Sequence, residues 1–284
     1  MTLIIGWILL FASVIGGFIL AGGHLIILFQ PIEYLMILGA GIAAFVGGNS
    51  GKTMKATLGG FGTAIKGSKY KKTLYMETLA LLFNIFTRAR KEGLMAIEED
   101  IEDPHNSALF QQAPTVLADH HAVDFITDYL RLMVSSTLDV HQIDNLMDID
   151  IETHHQEASL PGTGIAKMAD GLPAFGIVAA VLGVIHTMES VDQPPSVLGG
   201  LIAAALVGTF LGILISYGVV APVATNLEHK VNDSTKYYQS IKAAMIAFMN
   251  GYPPQVSAEF GRKVLFSSDR PGFQELEEYL KEKK

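Results

Sequence analysis

The chain alternates between long, uncharged apolar runs and stretches in which polar and apolar residues are mixed. The first run covers residues 3–20, eighteen uncharged residues that form about 27 Å of α-helix and are long enough to span a bilayer. Three further runs have the same character and cover residues 34–48, 172–188 and 197–221. The pattern therefore predicts four membrane-spanning helices, arranged as two hairpins.

The remaining stretches have the period of amphipathic helices. Residues 71–92 place an apolar face at helical spacing, formed by Leu74, Thr78, Leu81, Leu82, Ile85 and Ala89. Further helices are predicted at 115–133, 139–158, 223–249 and 273–283. No stretch alternates at a period of two for long enough to indicate a strand. The predicted fold class is all-α: a polytopic membrane protein with four transmembrane helices and a helical cytoplasmic domain.

These runs divide the chain into four parts. Residues 1–51 and 168–222 are predicted transmembrane hairpins, residues 52–167 a cytoplasmic helical domain, and residues 223–284 a cytoplasmic C-terminal helical region. Since no cationic segment precedes the first run and a second span follows closely, we expect a retained helix rather than a cleaved signal peptide.

The distribution of basic residues predicts the orientation. Six lysines follow closely after span two, at positions 52, 55, 66, 69, 71 and 72, whereas loops 21–32 and 189–196 contain no Lys or Arg. The positive-inside rule then places both termini in the cytoplasm.

Composition agrees with this division. Half of the residues are apolar, mean hydropathy is +0.36 and only 17% are charged, which excludes an ordinary soluble protein. The absence of cysteine excludes a disulfide-stapled scaffold. The net charge of −8 gives no indication of a nucleic-acid partner, and we expect none.

Small residues line one face of each of the last two spans. Span four carries Gly200, Ala204, Gly208, Gly212 and Ser216, and span three carries Gly176, Ala180, Gly183 and Thr187. In lipid, such faces allow close backbone approach. Either the two spans pack on each other within the chain, or these faces meet other protein chains.

Two prolines lie at the edges of this pair. Pro173 falls near the start of span three, and we expect it in a first turn with Asp170 as N-cap. Pro222 has helical sequence on both sides, so it releases the Gly218 carbonyl and kinks the helix. That kink is either purely structural or a working hinge.

Polar residues inside the spans are few. Thr209 lies near the middle of span four, whereas Glu33 is expected only in the first turn of span two. No Asp, Glu, Lys or Arg falls at mid-span, although a proton relay needs an ionisable group there. If the chain conducts ions, we therefore expect a partner to supply the carboxylate.

Other candidate sites are weak. Adjacent residues on a helix point about 100° apart, so His120-His121 and His154-His155 are interpreted as solvated histidines rather than metal ligands. The glycine-rich residues 59–62 lack the following helix signature of a phosphate loop. Nothing resembles a nucleophile and its base, so we expect no enzyme, metal or cofactor.

Five segments along nearly the whole chain resemble the flagellar stator A-subunit (MotA) family of the MotA/TolQ/ExbB superfamily. They are NLMDIDIETHH (145–155), GLPAFGIVAAVLGVIH (171–186), LVGTFLGILISYGVVAP (206–222), FGRKVLFSS (260–268) and RPGFQELEE (270–278). The resemblance implies a torque-generating ion channel of the bacterial inner membrane. It also implies a ring of five A subunits around two MotB-type B subunits, each of which carries the ion-binding aspartate.

The same resemblance implies roles for individual residues. Thr209 faces the B-subunit aspartate, Pro173 and Pro222 couple ion passage to conformational change, and Arg90 and Glu98 contact the rotor protein FliG. Sodium-type members carry a threonine where this chain has Ala180 and lack much of the 96–113 insertion, so both features favour H⁺ over Na⁺ as the transported ion.

Two alternatives remain at the level of the sequence. One is an ExbB/TolQ-type energiser of an outer-membrane system, although those relatives have three spans rather than four. The other is a non-conducting membrane scaffold, in which the small-residue faces only hold an assembly together.

Overall fold

Every regular element in the computed structural model, which describes residues 2–135 and 138–283, is helical. The α-helices are α1 (Thr2–Leu20), α2 (Pro31–Gly48), α3 (Gly51–Ile65), α4 (Lys72–Glu92), α5 (Glu98–Glu102), α6 (Ala108–Gln111), α7 (Pro114–Leu117), α8 (His120–Ser135), α9 (Val140–Met188), α10 (Pro195–Ile213), α11 (Ala221–Met249), α12 (Pro254–Val264) and α13 (Phe273–Glu282). Leu25–Leu28 and Leu94–Ile97 are 3₁₀ turns, and a π-helix, Leu214–Val220, joins α10 to α11. The predicted all-α fold is confirmed.

Four segments are long and apolar enough to cross a membrane. They are Thr2–Leu20, Leu25–Gly48, a window of Val140–Met188 and a window of Pro195–Met249. Large apolar side chains on them are open to the surroundings, among them Ile8 (62% exposed) and Leu35 (73% exposed), which suits contact with lipid rather than water. The four predicted spans are confirmed.

The chain forms two compact units. One comprises Met1–Gly67 with Ala158–His229, and the other comprises Ser68–Glu157 with Lys230–Lys284. The first contains the apolar windows and a core around Ile37, Ile165 and Leu211. We call it the membrane unit, and the second the polar-surfaced unit.

Helix α4 is central to the polar-surfaced unit. All six residues of its predicted apolar face are buried. Phe86 stacks on Phe248 with ring centroids 4.4 Å apart, and the hydroxyls of Thr78 and the fully buried Tyr237 are hydrogen-bonded at 3.0 Å. The helix ends at Gly93, whose φ of 92° favours glycine.

Helix α9 corrects the sequence prediction, because residues 140–188 form one helix of 49 residues. Asp170 is therefore no N-cap, and Pro173 lies in the helix interior rather than in a first turn. An interior proline costs about 3 kcal/mol. The burial of Ile165, Ala169 and Leu172, each no more than 1% exposed, offsets that cost.

Helix α3 was not predicted, since its fifteen residues include four glycines. The side chain of Ser50 caps it by accepting a hydrogen bond from the Thr53 N–H at 3.3 Å. Gly60 packs closely: a Cβ there would lie 3.1 Å from Pro161 and 3.3 Å from Leu227. The glycine-rich residues 59–62 thus lie within a helix, and Gly60 among them serves packing.

Candidate functional site

The small residues of spans three and four pack against each other within the chain. A Cβ added at Gly176 of α9 would lie 2.9 Å from the Gly208 carbonyl oxygen and 3.1 Å from Gly212 Cα. A Cβ at Gly183 would lie 2.7 Å from Ala205 Cβ. The two backbones therefore approach as closely as glycine allows. Gly200, by contrast, has open space around it, so that part of the face is not used within the chain.

Ala180 and Thr209 lie on either side of this contact. The Cβ position of Gly208, the neighbour of Thr209, is 3.3 Å from the Ala180 backbone nitrogen. Both side chains are half-buried. The Thr209 hydroxyl makes no hydrogen bond within the described part of the chain, unlike Thr187, which donates to the Gly183 carbonyl at 2.8 Å. Thr209 thus retains a donor and an acceptor for another group.

Glu33 is more deeply buried among the helices than its place in the first turn of span two indicates. It is in the first turn of α2, as expected, yet it is only 7% exposed and packs against Gly183 and Gly208. The reason is tertiary: both the 3₁₀ turn before α2 and α2 itself contact α10, and the Glu33 carboxyl lies at Gly208 of that helix. A position in the sequence near a span end does not fix depth.

Pro173 frees a backbone acceptor, and span four satisfies it. Proline has no N–H, so the carbonyl of Ala169, four residues earlier, loses its helical donor. The hydroxyl of Ser216 donates to that carbonyl at 2.6 Å, and Ser216 is fully buried. A side chain on the π-helix therefore completes the hydrogen bonding of α9 at its proline.

Pro222 lies directly after the π-helix. The Ala221 N–H donates to the Ser216 carbonyl, five residues earlier, instead of to the carbonyl four residues earlier as in an α-helix. The helix is therefore wider just before the proline. Gly218, four residues before Pro222, has no side chain and is contacted by Leu10 of α1. π-Segments mark helix bends and functional sites, and here one lies where the sequence predicts a kink.

Arg90 and Glu98 lie on the polar-surfaced unit, and both are exposed. Arg90 is in the last turn of α4, and Glu98 begins α5. Arg88 of α4 donates a hydrogen bond to Asp100 of α5 at 2.7 Å and so joins the two helices that carry this pair. The two charges are thus presented on a fixed segment.

The histidines are only partly as predicted. His120 and His121 are exposed, whereas His154 and His155 are half-buried and hydrogen-bonded to Ser234 (3.1 Å) and Thr235 (2.8 Å). Among the described residues, no group of three or more His, Cys, Asp or Glu could hold a metal ion. The pair His154 and His155 therefore takes part in the packing between α9 and α11.

Fold and site together define a helical membrane protein whose last two spans pack through small residues beside one buried carboxyl. Family models match in two places: the motility protein A N-terminal family at residues 4–93, and the MotA/TolQ/ExbB proton channel family at residues 118–240. Motility protein A of Salmonella typhimurium is 47% identical over 99% of this chain and 95% of its own length.

Chemotaxis protein LafT of Vibrio parahaemolyticus is 34% identical over 98% of both chains. The flagellar MotAB stator complex from Bacillus subtilis superposes with a TM-score of 0.74 at 25% identity, covering 90% of this chain and 92% of that one. The chain belongs to the motility protein A family. That family groups it with channel and stator proteins, not with enzymes.

Sequence reasoning missed two residues of the site. Glu33 is expected from the sequence only at the span end, so its burial was missed, and the hydrogen bond from Ser216 to the Ala169 carbonyl was missed as well. Ser216 lies 43 residues after Pro173, so only the fold brings them together.

Proposed function

We propose that this chain is the A subunit of a flagellar stator, which with a MotB-type B subunit forms an ion channel that drives rotation of the flagellar rotor. The observation that carries the proposal is the contact between α9 and α10, with the unpaired hydroxyl of Thr209 beside it. The solved relatives are MotAB complexes, which supports a B subunit and an oligomeric assembly as partners of this chain.

The B subunit supplies the ion-binding aspartate and lies opposite Thr209 and Ala180. Protonation neutralises that aspartate, so it crosses an apolar lining at lower cost than a carboxylate would. The small side chain of Ala180 supports H⁺ rather than Na⁺ as the transported ion.

Pro173 and Pro222 couple the passage of the proton to movement of the spans. Pro173 lies inside α9 and Pro222 in the first turn of α11, next to the π-helix, and the backbone departs from regular α-helical hydrogen bonding at both places. Such turns bend at lower cost. The movement is passed to the polar-surfaced unit, where Arg90 and Glu98 push charges on the rotor protein FliG.

The assembly we propose is a pentamer of this chain around two B subunits, in the lipid of the bacterial inner membrane. Both termini lie in the cytoplasm, as the six lysines after span two favour. A pentameric ring leaves the exposed apolar faces in contact with lipid.

Co-expression in a flagellated strain that lacks its own stator tests the function. We expect swimming to be restored by this chain together with its B subunit and by neither alone. Swimming speed should fall with a protonophore and be independent of external sodium. No swimming, with both proteins inserted, would favour the non-conducting scaffold, and a gain of outer-membrane uptake instead would favour the ExbB/TolQ-type energiser.

A further inference from the structure

Glu33 lies in a pocket that two glycines create. A Cβ built at Gly208 would lie 2.8 Å from Glu33 Oε2, and one built at Gly183 would lie 3.8 Å from Oε1. The side chain is only 7% exposed, and Oε2 is fully buried without a hydrogen-bond partner. The space is therefore shaped around a carboxyl group whose hydrogen-bonding capacity is not used within the chain.

No opposite charge compensates the carboxyl in the described part of the chain. Helix α10 has no ionisable residue, and α2 has no charged residue besides Glu33, its other ionisable side chain being the phenol of Tyr34. The apolar part of α9, residues 171–188, contains only His186, which is exposed and hydrogen-bonded to Glu189 at 3.3 Å. The 3₁₀ turn Leu25–Leu28 is entirely apolar, and the one ionisable residue next to it is His24.

Two effects act on this carboxyl in opposite directions. Burial without a partner disfavours the charged form, because its hydration is lost. The position in the first turn of α2 favours the charged form, because the helix dipole is positive there. Because the effects oppose each other, a change in the surroundings of the carboxyl shifts the balance between its charged and neutral forms.

We propose that Glu33 is a proton-binding site that this chain itself contributes to the ion pathway. The carboxylate takes a proton from hydronium, leaving water and a neutral carboxyl, and later returns it to water or to a carboxylate of the B subunit. The proposal rests on the stator function. It adds a second proton carrier, near Ala180 and Thr209, to the aspartate of the partner.

The role of Glu33 is tested by measuring proton flux into vesicles that contain the full complex and enclose a pH-sensitive dye. We expect Glu33→Gln, which keeps the shape and cannot exchange a proton, to lower flux about tenfold and to flatten its dependence on external pH. Glu33→Asp keeps the carboxyl and should retain most of the flux. Glu189→Gln, at an exposed carboxyl outside the pocket, is the matched control and should leave flux unchanged.

Equal flux and an equal pH profile in Glu33→Gln and the parent would overturn the proposal. If the parent complex conducts nothing, the stator function fails, and infrared spectroscopy of the purified complex still decides the fate of Glu33. A carbonyl band of protonated carboxyl that titrates with pH in the parent and is missing in Glu33→Gln supports the site. A band that does not titrate rules it out.

Discussion

At the scale of single residues, glycine sets how closely α9 and α10 approach. A Cβ at Gly176 or Gly212 would lie about 3 Å from backbone atoms of the facing helix. Since those neighbours are backbone rather than flexible side chains, a larger residue would have to push the two helices apart. Gly199, in the first turns of α10, faces nothing within 4 Å. Gly176, which is closely packed, and Gly199, which is not, therefore form a matched pair for substitution.

We expect Gly176→Ala to lower the unfolding temperature of the purified chain in detergent, at a cost of about 1–3 kcal/mol for forcing the helices apart. Gly199→Ala should be neutral or slightly stabilising, because alanine is the better helix former. Thermal unfolding followed by circular dichroism compares them. Equal stability of the two variants would mean that the close approach is not required.

Arg262, within the FGRKVLFSS segment, has a structural role that its hydrogen bonds define. It is 6% exposed, donates to both carboxylate oxygens of Glu259 at 2.6 Å, and donates to the Pro271 carbonyl at 2.8 Å. The hydrogen bonds from the guanidinium, more than its charge, hold the pKa of Glu259 below the usual value. The arginine thus ties α12 to the segment before α13.

Glu259→Gln leaves a buried guanidinium without its counter-charge, and we expect a loss of about 3 kcal/mol at pH 7. A depressed pKa stabilises the fold above the ordinary carboxyl value of 4.5, and that stability is lost as pH falls through the folded value. The difference in unfolding free energy between parent and variant should therefore become smaller below about pH 4.5. Unfolding measured at pH 7 and pH 4 checks this, and a gap that stays constant would contradict the pairing.

At the scale of elements, Pro173 and Ser216 act as a unit. The proline leaves the Ala169 carbonyl without a donor, and the serine hydroxyl supplies one from the π-helix. Removing the hydroxyl alone leaves a buried acceptor unpaired. Restoring the N–H at position 173 gives the carbonyl its helical donor again.

A double-mutant cycle follows from this geometry. Ser216→Ala should cost about 1–3 kcal/mol in the parent and markedly less when combined with Pro173→Ala. Unfolding free energies of the four proteins give the coupling directly. Additive effects would mean that the serine does not serve the carbonyl that proline frees.

Most elements follow from periodicity, and the exceptions have physical causes. The face of α4 and the end of α11 before Gly251 are local features, so the sequence predicts them. Helix α3 packs closely at Gly60 against Pro161 and Leu227, and the continuity of α9 depends on burial around Pro161 and Pro173. Both are decided by tertiary contacts, which local propensity does not contain.

At the scale of the whole molecule, candidate residues divide between the two units. In the sequence, Thr209 stands out as a polar residue within an apolar span and Ala180 as a member of a small-residue face, but their roles in the ion pathway follow only from the family resemblance and stay predictions. The burial of Glu33 was not predictable, because it depends on how α2 is seated against α10. The exposed pair Arg90 and Glu98 was predictable only through the resemblance to a family.

Charge reversal tests that pair. Since single exposed charges contribute roughly 0–1 kcal/mol each, we expect Arg90→Glu or Glu98→Lys alone to reduce swimming only partly. The double variant should be worse than either, while stator insertion stays normal. Swimming speed in soft agar and by tracking provides the readout, and wild-type swimming in the double variant would remove these residues from the rotor contact.

The central claim is that this chain, together with a B subunit, conducts protons. Cytoplasmic pH in cells that co-express both, followed after an external acid pulse, measures it most directly. The account predicts acidification that is unaffected by sodium and is abolished when the B-subunit aspartate is replaced by asparagine. No acidification from an inserted, assembled complex, or acidification that survives that replacement, would contradict it.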